Sequence, residues 1–581
     1  MANAILSGER EAAYQIARAA NPFASSCGHG CHAPCESACR RRYFGAPVAI
    51  ARVEAFATAF SPPMAVAGRV PTGPCTSAHD VRSVAGLVGR DPRSALAAPR
   101  SGKRVAVVGA GVTGLACAHD LVFLGHDCVL FDSAHEPGGL LTNALPAFRF
   151  PVASTHAESS AILAMGVAFE GGYQVVGSGD LRALLSGEFD AIFLATGASE
   201  PREPAFPGQR AHPQVVDAMG FLADTRALAG RVVVVGAGVL AIDAARSVVR
   251  RAIRDGFPPA RVQAVLAAEC ERSRVAPEML AAAAEEGVTL HFGWEPSRYL
   301  EGSDGSLIGV EITRPADRLA MVLPCDAVVT AGPRATNAAA FWPDVATGVD
   351  GLFAVDPETL QTSMFGVWAG GACAFGHRSI AHAVADGKRG AWQIHAALTG
   401  QRVSAATASA WVEVESWDPK RAPRAVATPR GSPSAGSLPP IDPFGAPLPP
   451  VDPFTGDSST AAERAVREAA RCFDCSVHPH VDESCTNCGK CVSVCEPGAL
   501  SLTAGPPALL QLDQDMCTRC GACVHACPEG SIAMLRAVWE ERLVAEPAPS
   551  SAQRRELTPP LDGGYDAGTR ISVAPGRSRT R

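Results

Sequence analysis

The chain has 581 residues, 47% of them apolar and 19% charged, with a formal net charge of −7. That length exceeds what one hydrophobic core supports, so two to four domains are expected, and the acidic balance leaves no basic footprint for nucleic acid. No uninterrupted apolar run is long enough to span a bilayer and the amino end lacks a signal-peptide layout, so the cytoplasm is the expected compartment.

Residues 1–100 open on a helical apolar pattern and then carry Cys27, Cys31, Cys35 and Cys39 in CGHGCHAPCESAC. Fourteen of the twenty cysteines lie in this group and in a second from Cys472 to Cys527. A disulfide framework suits small secreted domains, whereas clustered thiols in a long chain point to metal or redox chemistry. The four-residue spacing could set all four thiols on one helical face, but Gly28, Gly30 and Pro34 favour irregular turns around a cluster. Zinc sites use shorter CxxC knuckles separated by a longer gap, so an iron–sulfur centre is favoured over zinc.

Residues 101–228 begin with KRVAVVGAGVTGLACAHDLVFLGHDCVLFD, a strand, a GxGxxG turn, a helix and a second strand. Gly109 suits the tight turn, Gly111 the approach of backbone N–H groups to a pyrophosphate, and Gly114 the packing of helix on strand. Asp132, about twenty residues on, is placed to accept from a ribose hydroxyl. Gly138 and Gly139 suit another close backbone approach, and FDAIFLATG ends at Gly197 as a strand passing beneath a nucleotide does.

A second fingerprint, RVVVVGAGVLAID, opens residues 229–325, with Gly236, Gly238 and, at the third position, Ala241. The next strand ends near Glu269, which can accept from the 2′-hydroxyl of NADH, while Arg272 and Arg274 keep NADPH open; the balance leans to NADH. No CxxC lies in this domain, which argues against a thioredoxin-reductase-like dithiol. Residues 326–400, from DAVVTAG through VWAGGACAFGHRSIAHAVADG, read as the completion of the first nucleotide domain. Residues 401–460 are rich in Pro, Ala and Ser and read as a linker, and residues 538–581 as a disordered tail.

Residues 461–537 hold two CxxCxxCxxxC runs, the pattern of two-cluster bacterial ferredoxins, in which each [4Fe–4S] cluster takes its fourth thiolate from the other run. One cluster is expected on Cys485, Cys488, Cys491 and Cys527, the other on Cys517, Cys520, Cys523 and Cys495. Cys472 and Cys475, in RCFDC, are left over.

Together, ANPFASSCGHGCHAPCESACRR, the two glycine fingerprints, GGLLTNALPAFRFP, FLATG and WAGGA resemble the glutamate synthase small-subunit family, a module also found at the amino end of dihydropyrimidine dehydrogenase. The resemblance implies two Rossmann-like α/β domains, the second inserted in the first, between a helical iron–sulfur domain and the ferredoxin-like domain. It implies that Gly109, Gly111, Gly114, Asp132, Gly138, Gly139 and Gly371 line FAD, and that Gly236, Gly238 and Ala241 face NADH or NADPH. The sequence departs from the family in four places. The earlier cysteine group is absent ahead of Cys27, and RCFDC resembles it; Ala372 stands where the family has the Asp of GGD; Val239 and Leu240 replace a polar pair; and Ala267 and Ala268 replace paired arginines. The expected function is an FAD- and iron–sulfur-dependent NAD(P)H oxidoreductase passing electrons to a partner subunit or redox acceptor in a hetero-complex. The alternative is a relay subunit whose nucleotide site has degenerated.

Overall fold

The computed structural model describes residues 1–59, 100–413 and 465–545, apart from short breaks within them. Two parallel sheets carry the fingerprints. The first has the strand order Val367–Ala369, Ala191–Leu194, Arg104–Val108, Asp127–Asp132, Ala168–Gly171. Its four strands other than the edge strand Ala168–Gly171 are apolar on both faces because both are covered. Val105, Val107, Leu130 and Phe193 pack with Leu115, Leu121 and Ile394 of the helices Val112–Phe123 and Ile380–Thr399. The alternate residues, Val108, Val129, Phe131 and Leu194, pack with Leu181, Trp342 and Phe353.

The second sheet runs Val215–Asp217, Ala327–Ala331, Arg231–Gly236, Arg261–Leu266, Thr289–Phe292, all parallel. Helix Val239–Arg254 buries Ile242, Ala245 and Val249 against it. A three-stranded antiparallel sheet, Glu295–Glu301, Leu307–Arg314 and Leu319–Pro324, precedes the returning strand. That return corrects the expected boundary at residue 326. Ala327 through Ala331 pair with Val232 through Gly236, so the strand belongs to the second nucleotide domain, as does Val215–Asp217. The first domain is completed only by Val367–Ala369 and the helix after it. AVVTAG and FLATG are equivalent patterns, a buried run ending in small residues, and either fits the centre of either sheet.

A second correction concerns the linker and the tail. Gln401–Val403 pairs antiparallel with Leu543–Ala545, and Thr407–Glu413 with Ile532–Glu540. Two short strands were diluted by the Pro/Ala/Ser-rich composition around them; TASAWVE has the alternation and the Trp and Val of a strand. Val477–Val481 joins the other side of Ile532–Glu540. The ferredoxin-like part adds the pair Leu500–Leu502 and Leu510–Leu512 and two helical turns, Lys490–Ser493 and Ala522–Ala526, each entered through a left-handed glycine, Gly489 and Gly521.

The amino-terminal region is helical: Ala2–Leu6, Arg10–Ala20, Ala24–Gly30, Pro34–Ser37 and Ile50–Ala59. Helices Ala24–Gly30 and Ile50–Ala59 touch so closely that a Cβ on Gly28 would lie 2.5 Å from the Ala55 nitrogen. Glu158, on helix Val152–Ala164 of the first nucleotide domain, anchors the region. Its buried carboxylate accepts from the Ser25 N–H (2.8 Å), the Ser26 hydroxyl (2.7 Å) and Arg18 (3.0 Å). Burial raises its pKa against the pull of Arg18. No described helix is long and apolar enough to cross a membrane.

Candidate functional site

One cavity of about 1180 Å³ joins the two nucleotide domains. At one end Gly109 turns the chain out of the central strand at φ +108°, where an added Cβ would overlap the Ala195 carbonyl oxygen. Gly111 caps helix Val112–Phe123, whose N-terminus faces the cavity. Gly139 presses on it: a Cβ there would sit 2.8 Å from the Gly111 Cα. Gly138, Gly197 and Gly371 also line the cavity, all at positive φ. Asp132 is oriented from both sides, Oδ2 accepting from the Ala110 N–H (2.6 Å) and Oδ1 from the Ala134 N–H (2.7 Å), which holds the carboxylate at the cavity wall. Gly114 lies beneath the cavity, where an added Cβ would overlap the Gly109 carbonyl oxygen; its part is to seat the helix on the strand.

At the other end Gly236 and Gly238 line the cavity with Val265 and Ala267. Ala241 is fully buried behind them, packing its helix on the strand, and Glu269 lies outside the described residues with Arg272 and Arg274. The cavity exceeds the roughly 300–1,000 Å³ of a single-ligand site and suits two nucleotides end to end. The glycine cradle, the helix N-terminus and the fixed acid are the donors and shape that a dinucleotide requires, so the residues present fit FAD at the first end.

Sequence reasoning missed the charged groups between the two ends. Among the described residues the lining carboxylates are Asp132, Asp243 and Asp386, and the lining arginines are Arg149 and Arg378. Arg149, from the loop of the first domain, pairs with Asp243 on helix Val239–Arg254 of the second; Arg378 pairs with Asp386. Asp243 is almost wholly buried, its Oδ1 has no hydrogen-bond partner among the described residues, and burial raises its pKa to about 6 against the Arg149 charge. Acids set inside apolar helical runs, VLAIDAA and AHAVADG, were the available signal. Ala372 lines the cavity where the family has an acid, and no described cysteine does.

The ferredoxin cysteines gather as the spacing requires. Cys485, Cys488, Cys491 and Cys527 surround one cavity with Leu510 and Ile532. Cys495, Cys517 and Cys523 surround another with Leu500, Leu512 and Met534, and Cys520 lies outside the described residues. Each cavity thus draws one thiol from the opposite run and is walled by apolar side chains, an arrangement that fits a cubane cluster.

At the amino end the path is only partly irregular: Gly28 and Gly30, expected to break the chain, lie with Cys27 inside helix Ala24–Gly30, and the break follows it, with Cys31 just past the helix, Ala33 at φ +48° and Cys35 in the helical turn Pro34–Ser37. The Cys27 thiol donates to Cys31, and that bond, aided by the Ala381 N–H and the Ser379 hydroxyl and opposed by burial, holds Cys31 down to about 5. Gly30 itself lines the large cavity, which brings this loop to the wall of the first nucleotide site.

Residues 103–387 match the pyridine nucleotide-disulphide oxidoreductase family, and residues 484–531 match the 4Fe-4S dicluster domain. The chain carries both of these domains. It is 32% identical over 456 residues to the NADP(+)-dependent formate dehydrogenase subunit beta of Moorella thermoacetica, covering 72% of this chain and 61% of that protein. To the glutamate synthase [NADPH] small chain of Escherichia coli it is 31% identical over 231 residues, 37% of this chain and 47% of the other. To the NADPH-Fe(3+) oxidoreductase subunit beta of Geobacter sulfurreducens it is 28% identical over 312 residues, 51% and 40% of the two chains. The matches thus span 40 to 61% of the length of these relatives. The resemblance to glutamate synthase small chains drawn from the motifs holds.

Proposed function

We propose that this chain is the NAD(P)H-oxidising, electron-distributing subunit of a hetero-complex, with FAD in the first nucleotide domain, NADH or NADPH in the second, and iron–sulfur clusters at both cysteine groups. The observation that carries the reading is the single cavity bounded by both glycine fingerprints, with cysteine groups beyond it. When bound, FAD supplies the exchange between a hydride and single electrons.

The chain's own residues hold and orient. The free N–H groups and dipole of helix Val112–Phe123 favour the pyrophosphate at Gly111. Asp132, locked by Ala110 and Ala134, offers its remaining lone pairs to a ribose. The helix Val239–Arg254 turns its N-terminus, capped by Gly238, to the second nucleotide. Arg149 and Asp243 stand between the two ends and tie the two domains together across the cavity. The relatives' names describe beta subunits and a small chain, which supports a partner that turns over the terminal substrate. Those names also specify NADP(+) or NADPH, which favours NADPH over the NADH suggested by Glu269.

The test is the anaerobic visible spectrum of the purified protein before and after NADH or NADPH, with flavin and iron determined on the same sample. Bound flavin bleached by one nucleotide is expected. Iron–sulfur absorbance that neither nucleotide changes, with no flavin released on denaturation, would overturn the reading in favour of a relay subunit.

A further inference from the structure

Cys472 has no part in the ferredoxin runs, yet it does not stand apart from the rest of the molecule. Residues 465–469 are helical, and Ala465 and Ala469, both fully buried, pack into the core of the amino-terminal region with Ile5, Ala13, Val53 and Phe56. Cys472 and Cys39 are both half-buried against that same core.

Two carboxylates fix the arrangement. Glu36, between Cys35 and Cys39, accepts from the Ala51 N–H at 3.1 Å; Glu468, four residues before Cys472, accepts from the Ala49 N–H at 3.0 Å. Both therefore bind neighbouring donors at the start of helix Ile50–Ala59, where free N–H groups and the helix dipole favour anionic oxygen. The cysteine loop of the amino end and the segment leading into the ferredoxin are thus tied to one helix terminus, from positions more than four hundred residues apart.

We propose that Cys472 is a thiolate ligand of the amino-terminal iron–sulfur centre, joining Cys35 and Cys39, so that the centre is closed by two distant parts of the chain. Thiols from separate segments meeting at an apolar wall are how the ferredoxin cavities of this same protein are built. Cys31 stands at the edge of this group nearest the large cavity. In sequence, the segment that closes the centre runs on toward the ferredoxin cysteines, the first of which is Cys485.

The inference rests on the chain being an iron–sulfur protein, and the ferredoxin cysteines provide the control. Full-length protein, purified anaerobically, is compared with Cys472→Ser and Cys485→Ser for iron, flavin and the low-temperature electron paramagnetic resonance spectrum of the reduced state. Cys472→Ser is expected to lose one cluster's iron and one set of resonances while keeping the signals that Cys485→Ser loses. Iron and resonances unchanged in Cys472→Ser, with wild-type clusters present, overturn the assignment. Absence of every cluster from the wild type overturns the iron–sulfur reading itself. Should the variant fail to fold, alkylation of the wild type decides: Cys35, Cys39 and Cys472 protected as isolated and labelled together once iron is stripped by chelator under native conditions support the site. Cys472 labelled before stripping, or protected after it, overturns it.

Discussion

The two nucleotide domains share a fingerprint but are closed in different ways. In the first, added Cβ atoms on Gly109, Gly114 and Gly139 would all run into main chain, and those on Gly371 and Gly387 would overlap Thr113. In the second, Gly236 is tight, at 2.5 Å from the Ala331 oxygen, but Gly238 has nothing within 4 Å and the third glycine is already Ala241. The first domain is also held to the amino-terminal region, through Glu158, which accepts from Arg18, Ser25 and Ser26, and is closed by its own last helix, Ile380–Thr399, whose His395 meets His126 at 2.8 Å. The second touches the first across the cavity through Arg149–Asp243. A site for a resident cofactor can be shut on all sides; one for a nucleotide that must come and go needs room.

The contrast breaks most readily at Gly114. Gly114→Ala forces a methyl into the Gly109 carbonyl and is expected to cost about 3 kcal/mol or more, seen as lost soluble yield and lost flavin. If the variant folds and keeps flavin, the first domain is not tightly closed. Glu158→Ala comes next: it leaves Arg18 and three donors of Ser25 and Ser26 without their buried partner and should cost about 3 kcal/mol, lowering the thermal midpoint measured by calorimetry.

A pH scan gives a smaller effect. Burial and the neighbouring His395 lower His126 to about 4, whereas the unfolded ring titrates near its ordinary value. Between those limits the unfolded chain binds more protons, so stability is retained above the window and falls as pH drops through it. His126→Gln should flatten the loss of thermal midpoint between about pH 7 and about pH 5; an unchanged slope would remove this histidine pair from the account. Gly238→Ala should do least to the fold, within about 0.5 kcal/mol, while raising the KM for the nicotinamide nucleotide because the methyl occupies open space at the phosphate turn. A matching fall in stability would mean that the second domain is as closed as the first.

Much of this was legible in the sequence, for physical reasons. Gly109 and Asp132 could be placed because only glycine tolerates that turn and only an acid serves at that strand end, and the crossed cysteine sets follow from spacing alone. Local patterns fail where the partner is remote. Strand Ala327–Ala331 looks as it would in either sheet, and only its register with Val232 to Gly236 settles the matter. Asp243 and Arg149 meet across 94 residues and two domains, and nothing near either one announces the other. Thr407–Glu413 is a strand by virtue of a partner beyond the whole ferredoxin-like part.

That last pairing has a mechanical consequence. The chain enters and leaves the ferredoxin-like part through strands hydrogen-bonded to each other, Gln401–Val403 to Leu543–Ala545 and Thr407–Glu413 to Ile532–Glu540. The electron carrier is therefore not a bead on a string but a loop drawn shut at its neck. Severing the chain anywhere between residues 414 and 464 would leave it fastened to the rest of the chain through that neck, by hydrogen bonds even with the covalent path cut.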